Sequence, residues 1–116
     1  MDRRRTSRIA VAASSGNVFA DLGFPEPEEE LAKAELLKHI QQTIRRRRLS
    51  QKAAAVLMGV DQPKVSALVN GRCANFSSGR LMKLLTRLGQ DVEVTIRPAP
   101  RGRERGRLRV HAEARA

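Results

Sequence analysis

The chain of 116 residues contains one cysteine and two histidines, and it has no long apolar run. Because Cys73 is the single cysteine, an internal disulfide is excluded and a reducing compartment is expected. No apolar stretch approaches the ~20 residues that a membrane-spanning helix needs. The sequence therefore argues against both a disulfide-stapled scaffold and an integral membrane protein.

Motifs that carry catalytic or metal chemistry are also missing. Neither His39 nor His111 has a second ligand at the spacing of a metal site, and Cys73 has no histidine partner for nucleophilic catalysis. The sequence has neither a GxxxxGK[ST] phosphate loop nor a glycine-rich dinucleotide fingerprint. We expect no enzymatic activity, no metal and no cofactor.

Acidic residues are too few to balance the basic ones. Lys and Arg number 23 against 12 Asp and Glu, which gives a formal net charge of +11. Such an excess predicts a polyanionic partner, either nucleic acid or an anionic membrane surface. Residues 98–116 carry much of the arginine and few apolar side chains, so we expect an Arg-rich disordered tail there. This tail either contacts phosphates non-specifically or stays solvated.

The N-terminus resembles a targeting signal only superficially. Four arginines precede the apolar run Ile9–Ala13, which is shorter than the ~7–15 residues of a signal-peptide core. An organellar transit peptide is the alternative. We interpret residues 1–13 as a basic disordered tail and expect a cytoplasmic protein.

Residues 25–97 have the patterns of one small helical domain. A first helix begins at Pro25–Pro27, with Glu28–Glu30 near its positive end and Arg45–Arg48 near its negative end. A fourth helix is capped by Ser77 and ends at Gly89. Its apolar face consists of Leu81, Leu84, Leu85 and Leu88.

Two short helices separated by a tight turn lie between these elements. Ser50 caps a helix from Gln51 to Met58, and Gly59 ends it. Asp61 caps the next helix, which closes at Asn70–Gly71. A turn this short prevents antiparallel packing and predicts a helix-turn-helix. The side chains expected to face inward are Ala54, Leu57, Met58, Val65, Leu68 and Val69.

A strict alternation at Asp91–Ile96 predicts a β-strand, with Val92, Val94 and Ile96 on one side. The chain offers no second convincing strand to pair with it. We therefore expect it to pair with its own copy in a homodimer. The alternative is an extended segment that lies on the helices.

In a helix-turn-helix the second helix inserts its N-terminal turn into the DNA major groove. The amide of Gln62 suits the N6/N7 edge of adenine, and Lys64 suits guanine O6/N7 or a phosphate. Ser66 and Ala67 follow on the same face, where Ala67 suits a thymine methyl group. Pro63 offers only an apolar contact.

The run Leu49–Arg72 resembles the helix-turn-helix of the lambda-repressor-like, or XRE, family. The match is in register at Gln51, Gly59, Gln62 and Asn70–Gly71. The resemblance implies an all-α lambda-repressor-like bundle that binds operator DNA and represses transcription. It also implies phosphate contacts by Gln51, Lys52, Asn70 and Arg72. Pro63 departs from the family pattern, which often has a polar base-reading residue there.

Ser14–Phe24 and the expected final strand extend the resemblance to HigA-type antitoxins. That resemblance implies a second partner, a RelE/HigB-type ribonuclease toxin, bound by an extended segment at residues 14–24. Val18, Phe19 and Leu22 are the candidate toxin contacts; alternatively, they pack on the first helix or across the dimer. A stand-alone XRE-family regulator and a basic RNA-binding or architectural protein are the competing hypotheses.

Overall fold

The computed structural model describes residues 27–113, and this part contains four α-helices and no β-strand. The helices are α1 (Pro27–Arg46), α2 (Gln51–Met58), α3 (Gln62–Val69) and α4 (Ser78–Arg87). None of these helices is both long enough and apolar enough to cross a membrane. The expectations for residues 1–26, including the basic tail and the segment 14–24, lie outside the described residues.

Helix α1 follows the predicted charge pattern. Glu28–Glu30 occupy its first turn and Arg45 and Arg46 its last, in the sense that stabilises the helix dipole. The helix ends where Arg48 adopts a left-handed conformation with φ of 56°. This turn brings the Leu49 N–H within 3.0 Å of the Ile44 carbonyl oxygen and directs the chain into α2.

The three short helices begin with the predicted local caps. Oxygens of Ser50, Asp61 and Ser77 accept hydrogen bonds from the backbone N–H three residues later, at 3.0, 3.1 and 3.1 Å. Each cap satisfies a backbone donor that has no partner within the helix. The starts of α2, α3 and α4 are thus fixed within a single turn of chain.

The same helices end on side chains from distant positions. Arg87 Nη1 donates to the Met58 carbonyl of α2 at 3.0 Å. Gln41 Nε2 donates to the Leu68 carbonyl of α3 at 3.0 Å. Arg47 Nη1 donates to the Leu88 carbonyl after α4 at 2.8 Å. These bonds join the ends of the short helices to α1, to Arg47 just after α1, and to α4. Helix α1 packs mainly on α4, and α2 packs mainly on α3.

The core lies between α1, α4 and the helix pair α2–α3. Its buried apolar residues are Ala32, Leu36, Leu37, Ile40, Ile44, Ala54, Ala55, Met58, Val65, Leu68, Phe76, Leu81, Leu84, Leu85 and Leu88. The prediction that Leu57 and Val69 face inward is wrong, because these side chains are 39% and 37% exposed. Both lie in the last turn of an eight-residue helix, at the edge of its buried stripe.

The strand expected at Asp91–Ile96 is absent from the described part of the chain. Val92 is half-buried and packs on the core, as the alternative arrangement requires, whereas Val94 and Ile96 are 71% and 88% exposed. The physical reason is that the sequence offers no second strand to pair with this one. A lone strand has no second edge within the chain to pair its backbone groups.

Residues 98–113 follow an irregular course that includes one tight turn and one core contact. Arg103 N–H donates to the Pro100 carbonyl at 3.3 Å, with Gly102 at φ of 88°. Farther along, Val110 is half-buried and packs on the core. The expectation of a disordered tail depended on the nearly apolar-free residues 98–107, and Val110 lies beyond them.

Candidate nucleic-acid interface

Helix α3 is held to the rest of the protein along one side. Val65 and Leu68 are fully buried, so the opposite side of the helix stays accessible. Gln62, Pro63 and Lys64 are exposed, while Ser66 and Ala67 are half-buried. The five candidate base-contacting residues thus lie on or beside the open side of one short helix, with the three most accessible at its N-terminal turn.

The angle between α2 and α3 is set by a turn that depends on Gly59. Gly59 has φ of 71°, a left-handed conformation that side chains with a Cβ disfavour. A Cβ at this position would also collide with Arg87 Nη1. The guanidinium approaches so closely because it donates to the Met58 carbonyl. The turn therefore combines local glycine chemistry with a tertiary contact from α4.

The N-terminus of α3 has an internal ion pair. One carboxylate oxygen of Asp61 accepts the Lys64 N–H at 3.1 Å, and the other lies 3.2 Å from Lys64 Nζ. The backbone hydrogen bond from Lys64 holds the pKa of Asp61 below its ordinary value, with smaller contributions from the Lys64 ammonium and from Arg80. The first turn of α3 therefore holds a carboxylate and an ammonium group against each other.

The candidate phosphate-contacting residues flank α3 at two places. Gln51 and Lys52 are exposed in the first turn of α2, and Asn70 and Arg72 are exposed after α3. Asn70 has an internal role as well, because its Nδ2 donates to the Ser66 carbonyl at 2.8 Å. The other three have exposed polar or cationic groups at the two ends of the helix-turn-helix.

Arg80 is a cation near this surface that the sequence reasoning missed. Its guanidinium lies over the buried Phe76 ring, 5.0 Å from the ring centroid, and it is close enough to Asp61 to lower the pKa of that carboxyl. A sequence signal existed, because an aromatic residue four positions before an arginine at a helix start favours such stacking. Its electrostatic influence on Asp61 could be found only from the fold.

The structure describes the predicted dimerisation residues but not the predicted toxin-contacting residues. Val94 and Ile96 are exposed and Val92 contacts the core, so the three do not present one common face. Val18, Phe19 and Leu22 lie outside the described residues. Within residues 27–113, His, Cys, Asp and Glu form no group of three or more that could hold a metal ion.

Comparison with known proteins relates this chain to a family of helix-turn-helix domains and to a solved structure. Residues 18–97 match a family described as a helix-turn-helix domain. A solved structure described as an XRE family transcriptional regulator is 48% identical, with a TM-score of 0.72. The match covers 77% of this chain and 100% of that one. No curated protein is significantly similar to this chain.

Proposed function

The chain belongs to the helix-turn-helix family that includes XRE-type DNA-binding transcriptional regulators, and from that premise we propose that it is a repressor. One observation carries this proposal. Helix α3 is anchored by two fully buried residues, while Gln62, Pro63 and Lys64 remain exposed at its N-terminal turn. This is the turn that enters the major groove in helix-turn-helix proteins.

In the proposed complex, α3 reads base edges and the surrounding residues position it. Gln62 contacts adenine and Lys64 contacts guanine or a phosphate, while Pro63 and Ala67 meet thymine methyl groups. Gln51, Lys52, Asn70 and Arg72 contact phosphates on either side. The net charge of +11 favours association with DNA of any sequence, so specificity depends on the base contacts.

The test of this placement is Gln62→Ala, measured by binding to an operator and to its single-base variants. We expect a loss of ~1–3 kcal/mol of binding free energy at one operator position, with little change in binding to unrelated DNA. Gln42→Ala is the matched control, because Gln42 is an exposed glutamine on α1. Equal weakening on every sequence would show that α3 does not read bases.

We also propose that the repressor is a homodimer on a palindromic site, with its two α3 helices about 34 Å apart. The proposal is supported by the alternating segment 91–96, where Val94 and Ile96 remain exposed in the single chain. Two copies that pair along this segment would bring these side chains into cross-strand contact and satisfy the facing backbone edge of each copy.

Sedimentation of Val94→Asp tests the dimer. We expect a monomer, because a buried pair of carboxylates would face each other across the two-fold axis. Val56→Asp is the control, since Val56 is a comparably exposed valine on α2. A wild-type protein that sediments as a monomer, or a dimer unaffected by Val94→Asp, would contradict this assembly.

A second role as an antitoxin remains a proposal for residues 14–24. Its support is the resemblance of this segment, which contains Val18, Phe19 and Leu22, to HigA-type antitoxins. In this role the three apolar residues bind a RelE/HigB-type ribonuclease toxin. A stand-alone regulator is the alternative.

Affinity purification from the native host, followed by mass spectrometry, separates these two roles. The antitoxin hypothesis predicts a stoichiometric small partner that is toxic when expressed alone. Changing Val18 and Phe19 to Asp should release that partner without affecting operator binding. Recovery of DNA without a protein partner would favour the stand-alone regulator.

A further inference from the structure

The distribution of acidic residues is uneven in a way that bears on α3. Between Glu35 and Asp91 the sequence contains a single acidic residue, Asp61. It lies at the N-cap of α3, next to Gln62 and Lys64, where a DNA backbone would approach. A carboxylate at this place repels phosphates, so its presence requires an explanation beyond DNA affinity.

Helix capping alone does not require a charged residue here. Ser50 and Ser77 cap α2 and α4 with neutral hydroxyl groups at nearly the same distance as Asp61 caps α3. Ser and Asn stabilise helix starts about as well as Asp. What distinguishes Asp61 is its second oxygen, which lies 3.2 Å from the Lys64 ammonium.

We propose that Asp61 is a specificity-determining residue, which weakens binding to DNA that lacks the operator sequence. The proposal rests on the proposed role of α3 in reading DNA. Asp61 acts in two ways: it holds Lys64 in an internal pair, and it places a negative charge beside the groove-facing turn. Both side chains are accessible, with 60% and 46% of their surface exposed, so an approaching duplex meets the pair directly.

The ion pair between Asp61 and Lys64 affects binding to unrelated DNA and binding to the operator differently. Affinity for unrelated sequences comes almost entirely from phosphate contacts, so each cation held internally is one contact fewer. On an operator, Lys64 lies over a base edge that accepts its hydrogen bonds, and the Asp61 cap on α3 is kept. Asp61 therefore lowers the affinity for non-specific DNA more than the affinity for the operator.

The experiment compares Asp61→Asn with wild type on two duplexes of equal length. One is selected from a random pool by the wild-type protein, and the other is a shuffled sequence of the same composition. Asn keeps the helix cap and removes the charge. Glu29→Gln is the matched control, because Glu29 is an exposed acid on α1, outside both the helix-turn-helix and the proposed dimer segment. Equal thermal unfolding of both variants verifies that the fold is retained.

For Asp61→Asn we expect a gain of about 1.4- to 5-fold in affinity for the shuffled duplex at low salt, the size associated with one exposed ion pair. The logarithmic salt slope should steepen by about 0.9, equivalent to one additional phosphate contact. The gain on the selected duplex should be smaller, so the specificity ratio falls. Adding Lys64→Gln to Asp61→Asn should remove most of the gain and restore the wild-type salt slope.

Two outcomes would overturn the inference. Asp61→Asn could have no more effect than Glu29→Gln on the shuffled duplex, or the gain could persist undiminished when Lys64 is replaced. A failure of the proposed function gives a different result, because wild type would then show no preference for the selected duplex and Gln62→Ala would weaken binding to both duplexes equally.

Discussion

The helix-turn-helix at residues 50–72 and the C-terminal segment at residues 91–113 have equal length but satisfy their backbone groups differently. In the helix-turn-helix, two helices begin at local caps and end on bonds donated by α1 and α4. Within residues 91–113 the described structure has a single backbone–backbone hydrogen bond, from Arg103 to Pro100. The first region is paired mainly within its own helices, whereas the described backbone pairing of the second is confined to one turn.

Their side chains differ in the same way. Val65, Leu68 and Met58 in the helix-turn-helix are fully buried, whereas Val94 and Ile96 in the C-terminal segment are largely exposed. Both regions contain regular apolar patterns. The comparison shows that a helical pattern is satisfied within one chain, while an alternating pattern needs a second edge before it becomes a strand.

The sharpest test of the contrast is a pair of leucine truncations. We expect Leu68→Ala to lower the free energy of unfolding by ~2–5 kcal/mol, because it leaves a cavity in the core. Leu108→Ala, at a side chain that is 51% exposed, should change it by less than ~0.5 kcal/mol. Urea denaturation monitored by circular dichroism measures both. Similar losses would mean that the C-terminal segment is as well packed as α3.

Glycine substitutions test how each turn is supported. Gly59→Ala should lower the free energy of unfolding by ~1–3 kcal/mol. The alanine would have to adopt a strained left-handed conformation, and its Cβ would collide with Arg87. Gly102 has a similar φ of 88° but open space around it, so Gly102→Ala should cost only the conformational part of that penalty. A double-mutant cycle with Arg87→Ala should recover the collision part at Gly59. Equal penalties at the two glycines would contradict the tertiary support of the first turn.

Val110→Ala has a smaller expected effect than Leu68→Ala or Gly59→Ala, and it tests the contact of the C-terminal segment with the core. Removing part of a half-buried side chain should lower the free energy of unfolding by about 0.8 kcal/mol, the value of one buried methylene. His111→Ala is the control, because His111 is exposed. If the two substitutions have the same effect, Val110 contributes nothing and residues 98–113 are independent of the domain.

The helices were predictable because their signals are short in sequence. Ser50, Asp61 and Ser77 cap within one turn, and the buried leucines of α4 repeat at helical spacing. The side of α3 that remains open also followed from its pattern, apart from Val69. Arg80 was missed because its importance depends on Asp61, which is 19 residues away in the chain.

The sequence by itself determined where the helices of residues 27–113 begin and, apart from Leu57 and Val69, which faces they bury. Caps and apolar spacing act over a few residues, so no other part of the chain is needed to specify them. Glycines such as Gly59 also fix where the short helices end, but only the tertiary structure decided which side chains bond their terminal carbonyls. Arg87, Gln41 and Arg47 reach the carbonyls of Met58, Leu68 and Leu88 across 29, 27 and 41 residues. The physical reason is that an exposed C-terminal carbonyl accepts a hydrogen bond from any nearby donor, and folding alone brings that donor near.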